Sequence, residues 1–255
     1  MKKFFVLLAI GCLLPVTASA GTIEYAGSST VGKFIADAST VYTGATFKLN
    51  TSLESAGGEQ CAARGKCALG GVARKVKQRF LEEGVKATLI GKDAISVIVH
   101  KDNPVKKLTR AQLKDIFTGK IKNWKIVGGP DLAIQAIIVK EGSSTREIFR
   151  KVILAGSQYR GTKVVTPDAR IVSLVARHRG VIGQISMAFI KDNKKVKAIY
   201  VDGQEPSVNN ANYPITRPLH LVTKGEPRGE IKAFIDWALS AEGQKVVRNR
   251  FLGVN

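Results

Sequence analysis

Three short segments carry the groups best suited to chemistry: Ser28-Ser29-Thr30, Ser55-Ala56-Gly57-Gly58 and Gly142-Ser143-Ser144-Thr145. Each follows a strand-like run and precedes a stretch with helical spacing. A helix start presents backbone N–H groups without partners and a partial positive charge, and neighbouring hydroxyls add further donors. Glycine in such a turn lets the backbone approach a ligand closely. One turn of this kind is an ordinary helix cap. Three in one chain, none followed by Gly-Lys-Ser/Thr, fit a cage for a small oxyanion better than a nucleotide site. Nucleophilic catalysis finds no basis, because no Gly-x-Ser-x-Gly elbow and no Ser/His/Asp set is visible, and no enzyme is expected. His100, His178 and His220 are widely scattered and no Cys-x-x-Cys occurs, so neither a metal nor a cofactor is expected.

The elements that must position these turns read as alternating strands and helices. Residues 23–26, 47–52, 94–99 and 134–139 are strand-like, and the last two are β-branched runs of the buried type. Helical spacing marks residues 31–38, 109–117, 145–155 and 171–177, with Thr109 as a cap. Gly57-Gly58 reads as a turn, and residues 230–247 as one long amphipathic C-terminal helix. Such alternation predicts an α/β fold with largely parallel sheets.

The N-terminus reads as a secretory signal. Lys2 and Lys3 precede an apolar run over residues 4–14, and Ala18-Ser19-Ala20 supplies the small-x-small cleavage pattern, so the mature chain begins at Gly21 and is periplasmic. A lipoprotein cut at Cys12 is the competing reading. The 255 residues carry 40 Lys and Arg against 20 Asp and Glu, and loss of residues 1–20 leaves a net charge of +18. That charge attracts anions of every size. The basic clusters at residues 74–79 and 191–197 lack interleaved aromatics, however, so nucleic acid is not an expected partner. Cys61 and Cys67 remain as an even pair in an oxidising compartment, which predicts one local disulfide.

Further residues give the turns a family context. Gly27-Ser28-Ser29-Thr30-Val31 resembles the first phosphate turn of the phosphate-binding proteins of bacterial ABC importers. Asp102-Asn103-Pro104-Val105, Leu108-Thr109, residues 116–121 and Asn123-Trp124 resemble a signature stretch of that family. Glu141-Gly142-Ser143-Ser144-Thr145-Arg146 with Phe149 is similar to its second turn. Gly180-Val181-Ile182-Gly183, Tyr213-Pro214-Ile215 and Arg217-Pro218-Leu219 match later landmarks in order. The resemblance implies a two-lobed type II periplasmic binding protein fold, with hinge crossovers near residues 97–100 and 214–221. Lobe one would take residues 21–97 and 218–255, and lobe two residues 98–217. It also implies a monomer that closes on inorganic phosphate, or a related oxyanion, and delivers it to a membrane permease. By position, Ser29, Thr30, the Val31 amide and Ser55 would contact the ligand from lobe one, and Ser143, the Ser144 backbone and Thr145 from lobe two. Arg74 and Arg146 are the candidate cations.

The chain departs from the family at instructive places. Ala68 and Ala73 stand where an acidic or serine group often lies near the ligand, and Val139 stands where an arginine often does. Lys140 is adjacent, but on a strand it would point the other way, and an ammonium does not replace a planar fork. Ser144 replaces a usual glycine. The competing reading is a basic envelope interaction or sensory protein that reuses the fold with an altered anion site.

Overall fold

The structure, a computed structural model, describes residues 21–191 and 193–254, and both the proposed signal segment and Cys12 lie outside them. The chain opens with strand β1 (Gly21–Gly27), helix α1 (Ser29–Ala38), β2 (Ala45–Asn50), α2 (Glu54–Ala63), β3 (Leu69–Val72) and the short α3 (Gln78–Glu82). The long strand β4 (Val85–His100) then leads to β5 (Lys107–Leu108), α4 (Arg110–Phe117), β6 (Gln135–Val139) and α5 (Ser144–Val152). There follow β7 (Lys163–Val165), α6 (Ala169–Val175), β8 (Val181–Ser186), β9 (Val196–Val201), β10 (Thr216–Lys224), α7 (Gly229–Leu239) and α8 (Ala241–Arg248).

The main strand order is β2-β1-β3-β10-β4-β8-β6-β7, with β9 on β4 and β5 on β9. The outer pairs β1–β2, β1–β3, β6–β7 and β6–β8 are parallel, as strand–helix alternation requires. The centre is antiparallel, so the expectation of a largely parallel sheet holds only for the flanks. The reason is that β4 and β10 run side by side in opposite directions. Residues 85–94 of β4 pair with β10, whereas residues 95–100 pair with β8 and β9. One 16-residue strand thereby serves both halves of the molecule, and the junction falls at Ala94–Ile95. The Tyr213 hydroxyl donates to the Ile95 carbonyl over 2.7 Å at that junction.

Each half has its own apolar core. In the first, Phe34, Phe47 and Phe234 pack with Tyr42 and Trp237, ring centroids lying 4.7–6.3 Å apart. In the second, Phe117, Phe149 and buried Trp124 pack with the β4 residues Val97 and Val99. The mixed α/β architecture with two cores joined by two crossover strands is that of the type II binding proteins.

Local expectations met three informative exceptions or confirmations. Thr109 caps α4 in a capping box with Gln112. Gly57 and Gly58 do not form a turn: they lie inside α2, where Gly58 allows the helix to rest on the sheet end. The C-terminal helix is two helices, because Ser240 ends α7 in extended backbone and its hydroxyl caps α8 by accepting from the Gly243 amide.

Candidate functional site

The site is built where three helix N-termini meet the two crossover strands. Gly27 adopts φ +138°, and a Cβ there would lie 2.4 Å from the Gly71 carbonyl oxygen and 3.1 Å from the Gly58 Cα. Only glycines permit β1, α2 and β3 to converge this closely. The Ser28 amide donates to the Gly71 carbonyl at 2.9 Å, so α1 starts directly above the end of β3. On the other side, Gly142 at φ +87° turns the chain into α5 and faces Ala56 of α2. The Ala56 amide donates to the Gly142 carbonyl at 3.3 Å, joining the two turns.

Arg217 on β10 lies at the centre, with its side chain 1% exposed. Its Nη2 donates to Thr30 Oγ1 at 2.9 Å, and its Nη1 to Ser144 Oγ at 3.1 Å and Thr145 Oγ1 at 3.0 Å. Ser144 Oγ is also 2.8 Å from Ser55 Oγ, which accepts from the Ala73 amide at 3.1 Å. Hydroxyls of the first and third predicted turns therefore meet on one guanidinium, and that of the second joins them through Ser144. Behind it, Nε donates to Asp93 Oδ2 on β4 at 2.9 Å, and Ser186 Oγ donates to Asp93 Oδ1 at 2.8 Å. Burial holds the Asp93 carboxyl above its ordinary value, against the opposing pull of Arg217 and Ser186. The Arg217–Asp93 pair is neutral overall, so an anion here would be held mainly by hydroxyls, helix-start amides and the outward half of the fork.

The remaining residues singled out from the sequence take different places. Ser143 is the N-cap of α5 and makes no side-chain capping bond. The Val31 amide donates to Ser28 Oγ at 3.3 Å, as does that of Thr30 at 3.2 Å. Ser29 Oγ turns away from the hydroxyl cluster and donates to Asp168 Oδ2 at 3.0 Å. Arg74 is buried but faces carboxylates. Its two Nη atoms meet Glu59 of α2 at 2.5 and 3.0 Å, and its Nε meets Glu147 of α5 at 3.0 Å. Arg146 lies over the Tyr159 ring at 5.4 Å and donates to the Val139 carbonyl. Lys140 reaches the Ser52 carbonyl just before α2. The Cys61–Cys67 disulfide forms, with Cα atoms 5.5 Å apart, and ties the end of α2 to the segment before β3.

The sequence marks Arg217 as a landmark with no role at the ligand, and nothing in it singles out Asp93 or Asp168. A basic residue on a strand, directly before proline, has no turn signature to draw attention to it. A surface cleft of about 410 Å³ does lie on the other side of α2, lined by Glu24, Lys48, Arg64 and the disulfide, but it contains none of the converging hydroxyls.

The sequence pattern of the PBP superfamily domain matches residues 15–242. The chain belongs to that superfamily. A crystal structure of a putative phosphate ABC transporter substrate-binding protein with bound phosphate from Clostridium perfringens superposes with a TM-score of 0.83 at 33% identity, covering 92% of this chain and all of that one. An ABC-type phosphate transport receptor from Vibrio cholerae shares the fold with a TM-score of 0.73 at 23% identity, over 91% of this chain and all of that one. In sequence, the phosphate-binding protein PstS of Bacillus subtilis is 34% identical over 176 residues, which is 65% of this chain and 58% of the relative. The aligned part thus spans well under two thirds of that relative's length.

Proposed function

We propose that this protein is a periplasmic solute-binding protein that captures a small tetrahedral oxyanion, inorganic phosphate in the first place, and delivers it to the permease of an ABC importer. The observation that carries the reading is the gathering of Thr30, Ser144 and Thr145 on the buried fork of Arg217, with Ser55 joined to them through Ser144, so that hydroxyls from three helix starts converge. Serine and threonine hydroxyls both donate and accept, so hydroxyls that accept from Arg217 can turn their protons to an inserted oxyanion. Helix N-termini favour the same charge. The phosphate named for the C. perfringens and B. subtilis relatives supports the choice of anion.

In this reading lobe one comprises residues 21–97 and 218–255 and lobe two residues 98–217; the separate cores support such a division, with the boundary in β4 moved to Ala94–Ile95, where pairing passes from β10 to β8. The ligand set is Thr30, the Val31 amide, Ser55, Ser143, Ser144 and Thr145, with Arg217 as the principal cation, and Ser29, whose hydroxyl is bonded to Asp168, stands beside it. Arg74 and Arg146 hold the walls of the cleft. The protein acts as a monomer, is secreted by cleavage after Ala20, and catalyses no reaction.

Calorimetric titration of the mature protein with phosphate, arsenate, sulfate and molybdate tests this directly. Submicromolar binding of phosphate is expected. Folded protein that binds none of the four anions would overturn the reading in favour of a basic envelope protein whose partners are not small anions.

A further inference from the structure

The end of the second half that lies away from the hydroxyl cluster is strongly cationic. From the Ala94–Ile95 junction β4 runs on to His100, a distance of about 17 Å. β8 runs the other way, so Ser186, bonded to Asp93 behind Arg217, stands near the cluster and Val181 at the far end. β9 also runs against β4 and sets Val196 opposite His100. Three strand ends therefore meet far from the anion cage. The chain at each of them is basic: Lys101 follows β4, Arg179 precedes β8, and Lys195 precedes β9, with Lys197 just inside it.

Backbone and side-chain contacts tie these residues into one patch. The Lys101 amide donates to the Lys195 carbonyl at 3.0 Å. Arg179 Nη2 lies 3.3 Å from the Asp102 carboxylate, and Lys101 Nζ and His100 Nδ1 each lie 3.7 Å from it. Lys197 Nζ donates to the Asn103 carbonyl. Among the described residues Asp102 is the one acid in this group, and no carboxylate pairs with Lys106, Lys195 or Lys197. The positive charge is therefore in excess. Burial and the nearby Lys106 hold the Lys197 ammonium below its ordinary value, against the pull of Asp102. The arrangement does not suit one small anion, because Lys101, Arg179 and Lys195 are exposed and stand on separate strand ends instead of converging in a recess. No Phe, Tyr or Trp is interleaved in residues 100–103 or 191–197, so the stacking that nucleic acid uses is missing. A broad set of mobile cations matches an equally broad array of mobile anions. A bilayer rich in acidic lipid presents that array.

We infer that this basic pole of the second half is a docking surface for the anionic headgroups of a lipid bilayer. Contact there leaves the anion cage, at the other end of β4, clear of the headgroups. Each basic residue near such a surface strengthens adsorption by about fivefold, and its contribution fades beyond a Debye length of about 10 Å. Clustered charge thus fixes which side of the protein meets the bilayer, which net charge alone does not. The inference takes from the reading above only that the protein is exported, and it holds whichever anion the cleft takes.

Co-sedimentation of the mature protein with vesicles tests it, using phosphatidylcholine with phosphatidylglycerol against phosphatidylcholine alone. Binding to the mixed vesicles only is expected at ~0.1 M salt, with release at ~1 M, where the Debye length falls to about 3 Å. Lys101→Glu, Arg179→Glu and Lys195→Glu combined should weaken that binding by at least about a hundredfold. Lys66→Glu, Lys92→Glu and Lys245→Glu combined make the same change in net charge on exposed residues of the first half. That variant should stay within about fivefold of the wild type. Should the first variant fold poorly, Lys101→Gln with Lys195→Gln neutralises two charges without reversing them and should cost about 25-fold. Equal losses in the two triple variants would mean adsorption by net charge and would overturn the docking face. Equal binding to both kinds of vesicle, or binding that survives ~1 M salt, would overturn it as well. Vesicle binding by a protein that takes no small anion would leave the docking face standing and sink the oxyanion reading. Phosphate binding by a protein that no anionic vesicle retains would do the reverse.

Discussion

Arg217 and Arg74 are both buried, and both connect elements from the two halves of the chain, yet their forks face different chemistry. Arg74 is met by carboxylates on two edges, Glu59 of α2 and Glu147 of α5. Arg217 is met by one carboxylate behind it and by three neutral hydroxyls in front. Arginine carries a fixed charge and five donors in a plane. Carboxylates on two edges satisfy that charge and leave it little field to offer an anion. The Arg217 charge is matched by Asp93 as well, but the hydroxyls in front of the fork can reverse their bonds when an anion arrives, which carboxylates cannot do. The contrast teaches that an arginine's use depends less on its burial than on whether its partners can be exchanged.

The largest expected difference lies in binding. Arg217→Ala should weaken phosphate by a hundredfold or more, since removing one side of a buried charged contact costs about 2–5 kcal/mol. Arg217→Lys returns the charge without the fork and should recover only part of the affinity. Arg74→Ala should leave the dissociation constant within about threefold. Both alanine variants should lower stability by about 3–5 kcal/mol, because Glu59 and Asp93, wholly buried, lose their partners. Denaturant unfolding and calorimetry on the three variants measure both quantities. A hundredfold binding loss in Arg74→Ala, with Arg217→Ala near wild type, would reverse the assignment.

How much of this was legible in the sequence follows the same division. The three turns were readable because a hydroxyl-rich helix start has a local signature: Ser28 accepts from the amides of Thr30 and Val31 within its own turn. Thr109 announced its capping box in the same way. Arg217 was not readable as a ligand group, because its partners Thr145 and Thr30 lie 72 and 187 positions away and meet it only once β10 crosses beneath both helices. Asp93 stands 124 positions from Arg217, and Glu59, though only 15 from Arg74, lies in a helix with no motif that marks it as a partner. The break at Ser240 escaped for a different reason. The apolar spacing continues through it, and only the extended backbone of the serine ends one helix and caps the next.

The smallest expected effect is the most discriminating. Thr145→Val preserves the branched shape and removes the hydroxyl that accepts from Arg217 Nη1 at 3.0 Å. The guanidinium nitrogen keeps Ser144 Oγ as acceptor for one of its two protons, at 3.1 Å, and the other proton loses its acceptor, so the unfolding free energy should fall by about 1–3 kcal/mol. If the hydroxyl turns to the anion when the cleft is loaded, one neutral hydrogen bond is lost in the complex. The cost is about 1 kcal/mol, or roughly a fivefold weaker dissociation constant. If Thr145 serves only to support Arg217, Ser144 takes over that role and binding stays unchanged. A fivefold loss of phosphate binding in the folded variant therefore identifies an exchangeable hydroxyl, the property that separates the Arg217 cluster from the Arg74 cluster. An unchanged constant would remove Thr145 from the ligand set and leave the exchange to Thr30, Ser55 and Ser144.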